Sequence, residues 1–331
     1  MAAADMHVVA GNSGAVTKSS KPAAGRESTM KLGKVTILGV ILLAVLASGC
    51  SSEDHQQVQR TVKKPQRIVS LVLGADEILT DLVPLTSIAG LSHLSADAGI
   101  SNVAEKAQQV PARIKGNAEA VIALHPDLVV TTDYHPVELI QTIRDAGIPV
   151  YVYKTPGTVE EIKQSIQQLA RVVGEEAAGA RMVADMEAAI NRLGEQVRLV
   201  PAEKRLIVLR FSLLGGGGGK GTLFDDICRY AGVTNGAGIV GLGRHEILSK
   251  EQIVRINPDV VFVPTWDYNQ KTDFEQYKAE IRNDPALQTV SAVKTKKLVM
   301  VPDRHLVCAS QYVVYGVQDV ARAAYPEYVG E

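Results

Sequence analysis

The chain is poor in cysteine, in aromatic side chains and in any surplus of one charge, and each shortage removes a class of protein. Three cysteines in 331 residues cannot build a disulfide framework, and none stands in a C-x-x-C or Cys/His arrangement of zinc spacing. At most one bridge is open to the folded part, Cys228 to Cys308. Lys plus Arg number 35 against 36 Asp plus Glu, so nothing is left over to neutralise a nucleic-acid backbone. Aromatic residues make up 5%, with a single tryptophan, which slightly disfavours a large stacked macrocycle as ligand. No apolar run reaches the roughly 20 residues that a bilayer-spanning helix needs. What is present is ordinary for a globular protein, 46% hydrophobic and 21% charged, at a length that suggests two domains.

The first 50 residues carry an export pattern. Lys31 and Lys34 precede a stretch of 13 uncharged residues, Val35 to Ala47, which runs into Ala47-Ser48-Gly49-Cys50. A basic start, a short apolar core and small residues before the end describe a secretory signal peptide. Small residues directly before a cysteine resemble the lipobox of bacterial lipoproteins, which implies that Cys50 is acylated and becomes the new N-terminus. Residues 1–29 are Ala/Gly/Ser-rich and polar, so Met30 is the expected true start. Without residues 1–49 the balance becomes 30 basic against 34 acidic residues, a mildly acidic exported chain.

Residues 50–65 are polar and aperiodic, as a tether between lipid and fold would be. Beyond them the sequence predicts an α/β protein of two lobes, each a mostly parallel sheet flanked by helices, joined by one long backbone helix. Val/Ile-rich runs at 67–73, 87–91, 128–132 and 150–153 alternate with helix-like segments across a first lobe, 66–157. A second series at 205–211, 260–263 and 298–301 builds a lobe over 201–331, with helices expected near 222–231 and 311–324. Between them, 158–200 opens on Thr158-Val-Glu-Glu161, which reads as a capping box. Ile162, Ile166, Leu169 and Val173, then Met182, Met186, Ile190, Leu193 and Val197, fall at helical spacing on either side of Gly174.

The strongest signal is a repeat. Asn117-Ala-Glu119 followed by Leu-His-Pro126-Asp127-Leu-Val-Val matches Ser249-Lys-Glu251 followed by Ile-Asn-Pro258-Asp259-Val-Val-Phe with identical spacing. Each copy predicts a capped helix with a glutamate in its first turn, where a carboxylate suits the helix dipole, and a Pro-Asp stop before a buried strand.

The lipobox, the opening Arg67-Ile-Val-Ser-Leu71, the glutamate repeat, the segment Gly221 to Asn235 (GTLFDDICRYAGVTN) and Ala292 to Pro302 (AVKTKKLVMVP) together resemble the periplasmic-binding family for iron complexes and cobalamin, from about Arg67 to Pro326. The resemblance implies a lipid-anchored receptor, monomeric and facing the periplasm or cell surface, that captures a siderophore, haem or corrinoid in an interlobe cleft. It also implies delivery to an ABC permease dimer with its cytoplasmic ATPase, and one exposed glutamate per lobe, Glu119 and Glu251, docking on permease arginines. No intrinsic cofactor and no catalysis are expected, since no nucleophile elbow or metal-protease signature occurs.

Ligands of open α/β sheets meet the loops at the carboxyl ends of strands. Those loops offer His93, Tyr134, His135 and Lys154 in one lobe, and Arg210, Arg244, His245, Trp266, Tyr268, Arg304 and His305 in the other. Aromatic faces suit a macrocycle or catecholate, arginines suit carboxylates, and His or Tyr can ligate iron. A competing reading, a receptor for bare zinc or manganese, uses His93, His135, His245 and His305 as ligands. A second alternative is a surface lipoprotein with no transport role. Two glycine motifs are discounted. Leu214 and Gly221 break the phosphate-loop pattern of GGGGGKGT, which reads as a mobile cleft loop, and Gly236 to Gly241, though literally GxGxxG, is expected to follow a helix and not a strand.

Overall fold

The computed structural model describes residues 64–213, 218–243 and 246–330. The signal segment, the lipobox with Cys50 and most of the tether lie outside the described residues, as do Arg244 and His245.

Two wholly parallel sheets organise the chain. The first contains β1 (Ile68–Ser70), β2 (Ile88–Ser92), β3 (Ala112–Ile114), β4 (Leu128–Thr132) and β5 (Val150–Tyr153) in the order β3-β2-β1-β4-β5. The second contains β6 (Ile207–Arg210), β7 (Thr234–Asn235), β8 (Val260–Val263) and β9 (Leu298–Met300) in the order β7-β6-β8-β9. Every residue of β2, β4 and β8 is buried, because helices cover both faces of a parallel sheet. In the first lobe these are α1 (Leu73–Leu82), α2 (Ala104–Ala107), α3 (Ala118–Ile122) and α4 (Val137–Asp145). Two longer helices follow, α5 (Val159–Val173) and α6 (Glu176–Arg198). The second lobe adds α7 (Leu223–Tyr230), α8 (Gly236–Ile239), α9 (Lys250–Ile256), α10 (Phe274–Asn283), α11 (Ser291–Lys294), α12 (Asp303–Leu306) and α13 (Val313–Ala324). Among the described residues no helix is long and apolar enough to cross a membrane.

The lobes share one continuous core. Ile68, Leu79 and Tyr153 of the first lobe pack in the same cluster as Ile162, Ile166 and Leu169 of α5, Met186 and Leu193 of α6, and Phe224 and Val317 of the second. The expected stripe on α5 is therefore the seam between lobes. Thr158 Oγ1 accepts the Glu161 amide at 3.1 Å, but the Glu161 carboxylate reaches back to the Gly157 amide, one residue further than a capping box requires. Gly174, at φ 71°, ends α5 in the left-handed region, and Lys163 then ties α5 to α6 by binding Glu160 and Glu187.

A polar junction lies beside this seam. Glu77 of α1, 1% exposed, accepts Ser310 Oγ at 2.5 Å and Cys308 Sγ at 3.1 Å from the second lobe, and the Asn102 amide at 2.8 Å from the first. Gln311 Nε2 and Tyr312 Oη both donate to Asp81, each at 2.8 Å. Cys228 and Cys308 are buried, free thiols, so the one available bridge is not made.

The repeat has a backbone explanation. Asn117 accepts the Ala120 amide at 2.8 Å, and Ser249 forms a complete capping box with Gln252. His125 and Asn257 stand at the same place in the two copies, and both are left-handed, at φ 47° and 48°. Each conformation turns the chain into Pro-Asp, whose aspartate then clamps the lobe's first strand. Asp127 accepts the amides of Gln66 and Arg67 at 2.7 and 2.8 Å, and Asp259 accepts that of Ile207 at 2.9 Å.

One expectation needs correcting. The GxGxxG segment does follow a strand, the two-residue β7, which is too short to show in the sequence pattern. Gly236 opens the four-residue α8, where a Cβ would stand 2.6 Å from the Ile256 side chain, so close helix packing accounts for that glycine.

Candidate functional site

Both sheets change direction of strand order once, between β1 and β4 and between β6 and β8, and crevices form at the carboxyl ends of such pairs. The segments leaving β2, β6, β8 and β9 build the candidate cleft.

Three side chains of the second lobe grip the segment after β2. Trp266 donates its indole N–H to Asp97 at 2.9 Å, Arg304 Nη1 donates to the Ala98 carbonyl at 2.7 Å, and Tyr268 Oη lies 3.4 Å from His93 Nε2. Asn102 returns a bond from its side chain to the Arg304 carbonyl at 2.9 Å. Trp266 also lies over Gly99, where a Cβ would stand 2.6 Å from the indole. Tyr268 meets both Trp266 and His93 edge-on, with ring centroids 6.2 Å apart in each case. Four of the sequence candidates, Trp266, Tyr268, His93 and Arg304, thus come together as a latch between lobes.

Behind the latch lies a cavity of about 150 Å³ lined by Ile100 of the first lobe and by Arg210, Leu213, Trp266 and Val307 of the second, among others. Arg210 ends β6 with its side chain 9% exposed and paired with Asp303 at 2.9 Å. The other Asp303 oxygen accepts the amides of Thr265 and Trp266 at 2.7 and 3.1 Å, so one buried carboxylate orients both the arginine and the tryptophan loop. Arg210 Nε is buried and among the described residues has no hydrogen-bond partner. A polar N–H left in that condition costs about 1–3 kcal/mol unless something fills its place.

The remaining candidates disperse. His135 bonds Thr131 Oγ1 at 2.8 Å after β4, and burial lowers its pKa, which favours the neutral ring. Its neighbour Tyr134 is 72% exposed. His305 turns towards α13, where its Nδ1 lies 2.6 Å from Asp319 Oδ2. Among the described residues no group of three or more His, Cys, Asp or Glu side chains gathers to hold a metal. Glu119 and Glu251 are exposed in the first turns of α3 and α9. A hydrogen bond from Ser249 holds the Glu251 carboxyl below the usual range, so it is charged at neutral pH. Asp97 and Asp303 were not found from sequence; the signal was absent, because Asp97 meets a tryptophan 169 residues away.

A cavity lined from two parallel-sheet lobes that share one core defines a two-lobed solute binder without a flexible hinge. Over residues 68–305 the sequence matches the family described as periplasmic binding protein, and the chain belongs to that family. It is 23% identical over 315 residues to an uncharacterised ABC transporter substrate-binding lipoprotein of Bacillus subtilis, covering 87% of this chain and 96% of that one. It is 26% identical over 206 residues to a molybdate-binding protein of Haemophilus influenzae, spanning only 56% of each chain. A periplasmic haem-binding protein of a Roseiflexus species superposes with a TM-score of 0.65 at 23% identity, over 79% of this chain and 98% of that one. That last likeness bears on the fold alone.

Proposed function

We propose that the protein is the extracytoplasmic receptor of an ABC importer, held to the membrane by lipid on Cys50, and that it captures an iron complex or corrinoid between residues 66–157 and 201–331. The observation that carries this reading is the interlobe cavity behind the latch, where an incompletely bonded Arg210 and the Trp266 loop share one buried carboxylate. Docking on the permease falls to Glu119 and Glu251, whose equivalent helices give each lobe one carboxylate. Surface charge pairs add little affinity but fix register and partner choice.

Trp266 is the only tryptophan, so its fluorescence reports on the site directly. Titration with ferric siderophores, haem, cyanocobalamin, molybdate, zinc and manganese, with inner-filter controls, is expected to give saturable quenching by an iron complex or a corrinoid. Saturation by zinc or manganese alone would overturn the ligand class. Silence across the panel, confirmed by thermal shift, would overturn the receptor reading.

A further inference from the structure

A second cavity sits inside the C-terminal lobe. It measures about 190 Å³ and is walled by Phe211, Ala237, Leu242, Leu248, Ile253 and Tyr277. Arg210 and Ser212 line both this pocket and the interlobe cavity, so the two spaces are separated by one short stretch at the end of β6. The walls belong to the satellite core on β6, β8 and β9, and Ala237, Leu242 and Ile253 are buried in it. We propose that this is a side pocket for one arm of the ligand, a compact aryl or branched acyl group whose carbonyl oxygen accepts a hydrogen bond from Arg210 Nε. The assignment rests on the receptor reading.

The charge balance decides between a neutral acceptor and an anion. Asp303, 5% exposed, already neutralises Arg210 at 2.9 Å. Glu246 adds a further carboxylate to the pocket wall, with its Oε2 accepting the Gly243 amide at 2.5 Å. Among the described residues a ligand carboxylate would therefore meet a lining whose one cation, Arg210, is already paired, beside a second negative group. What Arg210 still offers is an N–H without a partner among the described residues; it is buried, so an amide, ester or hydroxamate carbonyl takes it only when the side chains covering it give way. The apolar walls then select the size of the group attached to that carbonyl.

The test follows the Arg210 Nε–Hε resonance in the ¹⁵N-labelled full chain in detergent, assigned by its disappearance in Arg210→Lys. Benzamide supplies the carbonyl and the arm, benzoate the same arm with a charge, and acetamide the carbonyl without the arm. Benzamide is expected to shift the resonance saturably, with benzoate and acetamide at least tenfold weaker. Ala237→Leu and Tyr277→Trp, which enlarge two side chains of the pocket wall, are each expected to abolish the benzamide shift. If neither variant folds, the three-probe comparison on the unmodified protein still decides. Benzoate equal to benzamide would overturn the charge argument, and a shift that survives both variants would overturn the pocket. No benzamide shift in a protein that binds an iron complex would sink the side pocket and leave the receptor reading standing. A benzamide shift alongside silence across the metal-complex panel would overturn the receptor reading and with it the assignment of the pocket to a ligand arm, leaving only a site for a neutral aryl amide.

Discussion

Asp76 permits a quantitative test of how the first lobe buries a carboxylate. It lies in the first turn of α1, is 0% exposed, and accepts Ser92 Oγ at 2.5 Å and the Ser92 amide at 3.1 Å through one oxygen, while the other has no partner. Burial pushes its pKa up to about 7 from an ordinary 3.8, and the adjacent Glu77 adds to the rise. The folded protein therefore holds a proton between these values that the unfolded chain has released. Stability must fall as pH rises through that window and level off above about 7. At 1.36 kcal/mol per unit, a shift of roughly three units is worth about 4 kcal/mol, a large part of a typical 5–15 kcal/mol. Asp76→Asn keeps an acceptor for the Ser92 amide and cannot ionise. Urea unfolding at pH 5, 6, 7 and 8 is expected to show the variant's advantage over the parent growing by about 3 kcal/mol from pH 5 to pH 7 and flat above that. The contribution from His135 is common to both proteins and cancels in the difference, whereas Glu77 is coupled to Asp76 and its part belongs to the pair. A difference that is flat across this range, or a variant less stable at pH 8, would refute the reasoning.

Replacing Glu119 and Glu251 together by alanine should leave the Trp266 titration unchanged and abolish stimulation of the importer's ATPase in proteoliposomes; unaltered stimulation would remove the docking assignment. Trp266→Phe keeps the ring over Gly99 but deletes the bond to Asp97, so ligand dissociation measured by stopped flow should quicken by about fivefold, the equivalent of a bond of about 1 kcal/mol. Gly316→Ala should lower the urea midpoint, because its Cβ would stand 2.2 Å from the His305 carbonyl oxygen, and the overpacking cost of about 1–3 kcal/mol outweighs the helix propensity gained. Cys228 and Cys308, both buried with burial raising their pKa values well above the ordinary thiol range, should resist Ellman's reagent in the native protein at pH 8 and react as two thiols once it is unfolded in urea. Their failure to react after unfolding would indicate a bridge.

The parts of this fold that the sequence disclosed are those written in contiguous, periodic stretches. Strands β4, β5 and β8 have the bounds read from their Val-rich runs, and α5 buries Ile162, Ile166, Leu169 and Val173 as its spacing requires. Strand β3 was missed because Ala112-Arg113-Ile114 is three residues long with a charge in the middle, and β7 because it has only two residues. The site divides in the same way. Trp266 was legible as an aromatic at a strand end. Its role in closing the cleft was not, since Asp97 and the Arg304 contact with Ala98 join positions 169 and 206 residues apart. Asn257 is a residue type that tolerates a left-handed turn, so its conformation was within reach. His125 is another such type, and its place in the repeat matches it to Asn257.

The two joins between lobes differ in kind, and the difference constrains how the cleft can open. On one side the lobes share a single apolar cluster through α5 and α6, reinforced by Glu77 with Ser310 and Cys308. Separating them there would expose large side chains such as Ile162, Phe224 and Tyr153, each worth about 1.5–3 kcal/mol, and would strand a buried carboxylate. The latch has only a few hydrogen bonds at half-buried side chains, each worth about 1 kcal/mol net. Any opening that admits ligand must therefore break the latch and leave the core intact. Glu119 and Glu251 sit on α3 and α9, one in each lobe, so opening the latch about the intact core would change their separation. On the docking role proposed for these glutamates, their separation and the latch segment around 93–102 are the two features by which a permease would tell loaded from empty receptor.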